Sequence, residues 1–288
     1  MTTHGGGGER VQQGFPPGHV DEEGRPSDSV GQAWSGKSIP THGFSDDRGD
    51  ADPELLAALV ACAAVDGGAA GAGASGAGGA AGAAVRETEL LARVAAARWL
   101  VPVVAVPTEL DEHGGLVTDT RSEMAAVTLT AADGSRALPM FSSLEALAAW
   151  DPEARPVPVP AASAAQSAIT ESCDALVVDL ASAHAAVLRP SMLWALAQER
   201  AWVPAHHDDH VARAVAAAVD DERLVSAHRL EAGEPAGAGV LRVVLLLPPG
   251  LDQDTVSEVA TRIGERIATD GETRARIDAL TFALEAAP

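Results

Sequence analysis

The stretch that decides the fold begins at Arg98 and reads RWLVPVVAV through Val106. It resumes at Met124 as MAAVTLTAADGSRALPMFSSLEALAAWDP and closes at Pro152. Trp99–Val106 is apolar on both faces, the pattern of a strand placed centrally in a sheet. Glu109–Asp119 is polar and reads as a loop. Met124–Thr130 and Arg136–Phe141 flank Ala132-Asp133-Gly134-Ser135, and Asp-Gly between two such runs predicts a hairpin. Pro139 has no amide hydrogen for a ladder, so its nitrogen side is expected at an edge or a bulge. Ser142-x-x-Glu145 has capping-box spacing. The helix it opens is expected to turn Leu144, Leu147 and Ala148 inward and to stop at Asp151-Pro152.

Working upstream, Asp52-Pro53-Glu54 opens a helix expected to reach Val65. Aspartate caps, proline suits the first helical position, and glutamate complements the positive helix end. Asp66–Ala84 is a glycine-alanine tract with nothing large to bury, and it reads as a flexible insertion. A second helix, Arg86–Trp99, carries Leu90, Leu91, Val94 and Ala97 on one face. Met1–Val30 is glycine, proline and charge without periodicity, a disordered tail. Trp34, Ile39 and Phe44 are spaced to pin an extended arm to the domain surface.

Downstream, Val157–Val159 is a short strand weakened by alternating prolines. Ser163–Ser172 is an alanine-rich helix, Ala175–Leu180 a buried strand with Ala185–Leu188 as its partner. Pro190 begins a helix carrying Leu193, Trp194, Leu196 and Ala197. His206–Asp209 marks a boundary. Beyond it come helix Val211–Val219, strands Arg223–Glu231 and Val240–Leu247, and an amphipathic helix through Val256, Val259, Ala260, Ile263 and Ile267. Strand Ile277–Glu285 follows. This α-β-β-α-β order suits a small sheet with helices on one face.

Composition narrows the function. The chain has 288 residues and a formal net charge of −21, with Lys37 as its single lysine. Such a chain is repelled by phosphate unless it carries a basic stripe, and the arginines are dispersed. Aromatics are 3% and tyrosine is absent, a poor inventory for stacking bases. Nucleic acid is therefore not the expected partner. The longest apolar runs are too short to span a bilayer, and the first residues contain no secretory h-region, so a cytoplasmic location is expected. Cys62 and Cys173 are far apart among small apolar neighbours. They read as buried thiols in a reducing compartment, with a disulfide as the alternative.

Several segments together resemble one family. They are Leu100-Val101-Pro102-Val103, Met124–Thr130, Asp133-Gly134 leading to Ala137-Leu138-Pro139, Phe141–Pro152, Asp174–Asp179 and Pro190–Leu196. In order and spacing they resemble the enhanced serine sensitivity (SseB) family, over about Trp34–Ala205. The region after His206 resembles the C-terminal domain attached to many members. The resemblance implies an α/β (α+β) architecture in a cytoplasmic bacterial protein. A tail (1–30) precedes a mixed-sheet SseB-like domain (31–205, with the insertion at 66–84), and a small C-terminal α+β domain (206–288) follows. It implies no established chemistry, a loose tie to serine or amino-acid metabolism through the family's name, and no catalytic residue to carry over.

Motifs with chemical potential have plainer readings beside them. Gly71-Ala-Gly73-Ala-Ser-Gly76 is a literal GxGxxG, but no strand precedes it and glycine repeats flank it, so nucleotide binding is not expected. His206-His207-Asp208-Asp209-His210 has zinc-ligand residue types, yet Asp208 and Asp209 are natural caps of the next helix, and no metal or cofactor is expected. Nucleophilic catalysis needs an activated Ser or Cys beside a held base. No GxSxG occurs, Cys173 has no anion-binding loop, and His184 reads as a surface-turn histidine rather than a partner of Cys173. Trp150 and Trp194 read as core residues. The alternative is an interaction face of Phe141, Trp150, Arg155 and Arg189, since tryptophan and arginine are enriched at interface hot spots. The expected function is a non-catalytic interaction or regulatory protein with a protein partner or a second copy of itself. The alternative is a small-molecule enzyme of serine or sulfur metabolism.

Overall fold

Asp52 caps the first helix, accepting from the amides of Glu54 at 2.8 Å and Leu55 at 3.1 Å. Helix α1 then runs Pro53–Asp66. The computed structural model describes residues 44, 47–66, 77–113, 116–235 and 237–287. The GxGxxG at Gly71–Gly76, the segment 1–30, Trp34 and Ile39 lie outside them. Helix α2 spans Ala77–Ala96 and so begins inside the glycine-alanine tract. Ala77–Ala84 is therefore helix rather than flexible insertion. Alanine is the best helix former, and the burial of Ala84, Leu90, Leu91 and Val94 ties the helix down.

Strand β1 (Arg98–His113) is central, as its two apolar faces predict, between β2 (Leu116–Ala126) and β5 (Arg155–Pro160). Both neighbours are antiparallel. The expected Glu109–Asp119 loop is instead the far end of the β1–β2 ladder, which pairs Leu110 with Asp119 and closes at His113 opposite Leu116. Met124–Ala126 joins this ladder as well. Its register shifts between Pro107 and Leu110, where a proline cannot donate. In β5, Pro156, Pro158 and Pro160 alternate with Arg155, Val157 and Val159. The donor-less residues share one side of this edge strand, leaving the others to pair with β1 and blocking further addition.

A second sheet has the order β3 (Leu129–Thr130), β4 (Arg136–Met140), β6 (Ala175–Val178), β7 (Ala186–Leu188). The Asp133-Gly134 turn joins β3 to β4, with Gly134 at φ +88° and the Asp133 carboxylate held by Ser135. Strand β3 reaches only Arg136 and Ala137, so Pro139 has no β3 residue opposite it. A bridge between Leu100 and Phe141 links the two sheets.

The cap of helix α3 (Leu144–Trp150) is Ser143, whose hydroxyl accepts from Ala146 N at 3.0 Å. The Ser142 capping box does not form, because Ser142 is drawn inward to Asp179. Leu147 is buried, while Leu144 and Ala148 are exposed, and Leu144 lies over the backbone of Gly49.

Helix α4 (Ala161–Thr170) buries Ala161, Ala164, Ala165 and Ala168, and helix α5 (Pro190–Ala197) buries Met192, Leu193 and Leu196. With Trp99, Leu138, Met140, Leu176 and Val178, these form the first core. The Trp99 indole N–H donates to the Val94 carbonyl at 3.0 Å, which satisfies the polar end of a fully buried ring.

After a 3-10 turn at Ala205–His207 come α6 (Asp209–Asp220), β8 (Ala227–Ala232), β9 (Val240–Leu247), α7 (Gln253–Thr269), α8 (Gly271–Arg274) and β10 (Ala279–Ala286). The sheet order is β10-β9-β8, with β9 and β10 parallel. Strand β8 starts later than expected because Glu222 turns toward α7 and Val225 N closes on its carbonyl. Val211, Val215, Leu241, Val243, Leu245, Val259 and Ile263 form a second core. Among the described residues, no helix is long and apolar enough to cross a membrane.

Candidate functional site

Three polar features stand out. The first is Arg189, at the turn between β7 and α5. Its Nη1 donates to Glu87 of α2 at 2.6 Å and to the Gly237 carbonyl at 2.7 Å, and its Nε donates to Asp278 at 2.9 Å. Its guanidinium also lies over the Trp202 ring, 5.7 Å from the centroid. Burial alone would lower the Arg189 pKa, but the Glu87 and Asp278 carboxylates outweigh it and raise it. Asp278 also accepts from Ser191 N at 2.7 Å and Ser191 Oγ at 2.8 Å, and Trp202 Nε1 donates to that hydroxyl at 3.0 Å.

Helix α5 has Arg189 at its N-cap with no side-chain cap of its own. The Asp278 carboxylate, reaching across from the C-terminal module, satisfies the Ser191 amide instead. Gly239, at φ +72°, is required here, since a Cβ would overlap Asp278 and Arg189. The crevice around this cluster has room for about 40 Å³ of water, a few molecules at most and far below a small-molecule site of roughly 300 Å³ or more.

The second feature is Asp179, fully buried at the end of β6. Its carboxylate accepts from Ser142 N at 2.8 Å and Ser142 Oγ at 2.7 Å, and His184 Nε2 lies 3.6 Å away. Ser, His and Asp thus meet, in an order unlike that of a hydrolase triad. There the hydroxyl faces the histidine and the histidine faces the carboxylate. Here the Ser142 proton goes straight to Asp179, and Ser142 is itself buried. His184 faces Asp179, and no Cys173 contact is needed to place it.

The third feature is a partly open groove between α5 and α8, lined by Pro190, Trp194, Gln198, Glu272, Arg274 and Ala275 around about 410 Å³ of space. Trp194, expected in the core, is 39% exposed. Glu272 is held by Arg276 at 2.5 Å, whereas the Arg274 guanidinium has no ion pair among the described residues.

The structure does not gather Phe141, Trp150, Arg155 and Arg189 into one face. Phe141 is completely buried, and Trp150 stacks on it with centroids 5.3 Å apart. Arg155 is exposed on β5, and Arg189 is occupied by Glu87 and Asp278. In the histidine cluster, Asp208 caps α6 through His210 N and Val211 N and is paired with Arg276 at 2.9 Å. Burial opposes Asp208 ionisation, but Arg276 and the two amides outweigh it and hold the pKa below the ordinary value. Burial and His207 push His206 down. His210 turns to Thr273 at 3.0 Å. Among the described residues, no three His, Cys, Asp or Glu side chains converge as metal ligands. Burial raises the Cys173 pKa, and Cys62 points its thiol at the Arg86 carbonyl at 3.8 Å.

Residues 79–195 match the family described as SseB protein N-terminal domain. The chain carries an SseB N-terminal domain. That segment holds α2 through most of α5, and with it Asp179, Arg189 and Trp194. The SseB domain's core also takes in Leu55 and Leu59 of α1, which precede the matched segment. The C-terminal module, which supplies Asp278 and Arg274, follows it. No curated protein and no solved structure matches the chain.

Proposed function

We propose that the chain is a non-catalytic interaction protein that holds a protein partner in the groove between the SseB domain and the C-terminal module. The observation that carries this reading is Trp194. A large aromatic, 39% exposed, lines a concave surface beside an arginine, the residue pair most enriched at interface hot spots. The two other polar centres speak for the same reading. Arg189 and Asp179 direct their hydrogen bonds at the protein's own groups, as structural residues do. On this reading the family's tie to serine sensitivity runs through the partner rather than through a reaction of this chain. A photo-crosslinking residue at Gln198 is predicted to trap a defined protein in native cells, with the adduct lost in Trp194→Ala. Adducts that survive Trp194→Ala unchanged would contradict the reading.

A further inference from the structure

The groove also limits the chemistry of its occupant. Its α5 wall offers the Trp194 ring and the Gln198 side chain, and its α8 wall offers Arg274. Glu272, the one acidic side chain lining it, is held by Arg276, so Arg274 is the uncommitted charge. A guanidinium next to an aromatic wall is complementary to a carboxylate joined to an apolar body. The chain's net charge of −21 works against a run of acidic residues, which leaves a single carboxylate on an otherwise apolar segment. The groove is short and partly open: its walls are helices of eight and four residues around about 410 Å³ of space. Walls of that length match a short chain end carrying one carboxylate.

Resting on the reading above, we infer that the groove receives the C-terminus of a partner protein, with its α-carboxylate on Arg274 and an apolar last residue against Trp194. Capture of a terminal carboxylate is an established mode of peptide recognition, and here the groove needs both modules, because each supplies one wall.

The test is fluorescence anisotropy on the full chain. Tetrapeptides carrying a neutral N-terminal fluorophore are varied over all apolar residues at the last two positions, each made as the free acid and as the amide. At least one free acid is expected to bind saturably and about tenfold or more tighter than its amide, as loss of a charge-assisted hydrogen bond predicts. Arg274→Gln should erase the acid-over-amide preference, Arg274→Lys should keep part of it, and Trp194→Ala should weaken acid and amide alike. Equal binding of acids and amides, a preference that survives Arg274→Gln, or no saturable binding by any peptide would overturn the inference. If the Gln198 crosslink is still lost in Trp194→Ala, those outcomes remove the chain-end occupant and leave the interaction surface standing. If the crosslink persists there, the broader reading fails separately.

Discussion

Asp179 occupies the left-handed backbone region at φ +46°, where few side chains are tolerated, and it is completely buried. It stays there because its carboxylate takes both the amide and the hydroxyl of Ser142. Asn shares the tolerance for this backbone region and keeps one acceptor. Asp179→Ala loses both bonds and also strains the backbone. Chemical denaturation should show a loss of about 3 kcal/mol for Asp179→Ala and ~1 kcal/mol for Asp179→Asn. Equal losses would mean that the carboxylate acts only through its charge. The same contact shows where sequence reasoning stops. Ser142 and Ser143 have the same capping chemistry, and local pattern cannot choose between them. The choice is made by Asp179, 37 positions further along the chain.

Among the elements, those with local causes were legible. Aspartate at position 52, Asp133-Gly134, Pro190 and the period of α7 each fixed an element from its own residues. The β1–β2 extension was missed because its residues are polar, and polar alternation carries no burial signal. Gly114-Gly115, a two-residue hairpin signature, was the available clue. The junction was not legible at all, since Arg189 finds Glu87 and Asp278 at 102 and 89 positions' distance. Trp194, within a helix near a proline, reads as core from the sequence, and only the packing of α5 shows which side is left open.

The C-terminal elements also make an acid-sensitive unit. The Arg262 guanidinium, with Arg266 beside it, holds buried Glu222 below the usual carboxylate range against the opposing effect of burial, and Asp208 is lowered as described. A carboxyl with a depressed folded pKa contributes stability that is present above its unfolded pKa and lost as pH falls through the folded value. Stability should therefore decline from about pH 4 downward. Glu222→Gln should be less stable than wild type at pH 7 but show a shallower acid decline in urea midpoints. A decline as steep as wild type would place the proton uptake elsewhere.

At the scale of the whole molecule, two hydrophobic cores are joined by a cluster in which one module caps the other's helix. Residues 46–288 group as one compact unit, and the groove that carries the proposed function has a wall from each module. Removing Asp278 leaves Arg189 short of a partner and the Ser191 amide without its acceptor, a loss of about 3 kcal/mol by the usual cost of breaking a buried ion pair. Urea unfolding followed by tryptophan fluorescence and by far-ultraviolet circular dichroism tests this directly, because Trp99, Trp150, Trp194 and Trp202 all precede the C-terminal module. Wild type is predicted to unfold in one transition common to both signals, and Asp278→Ala to separate them, with the circular dichroism showing a second step. Coincident curves at an unchanged midpoint in Asp278→Ala would contradict the claim that this carboxylate locks the two modules together.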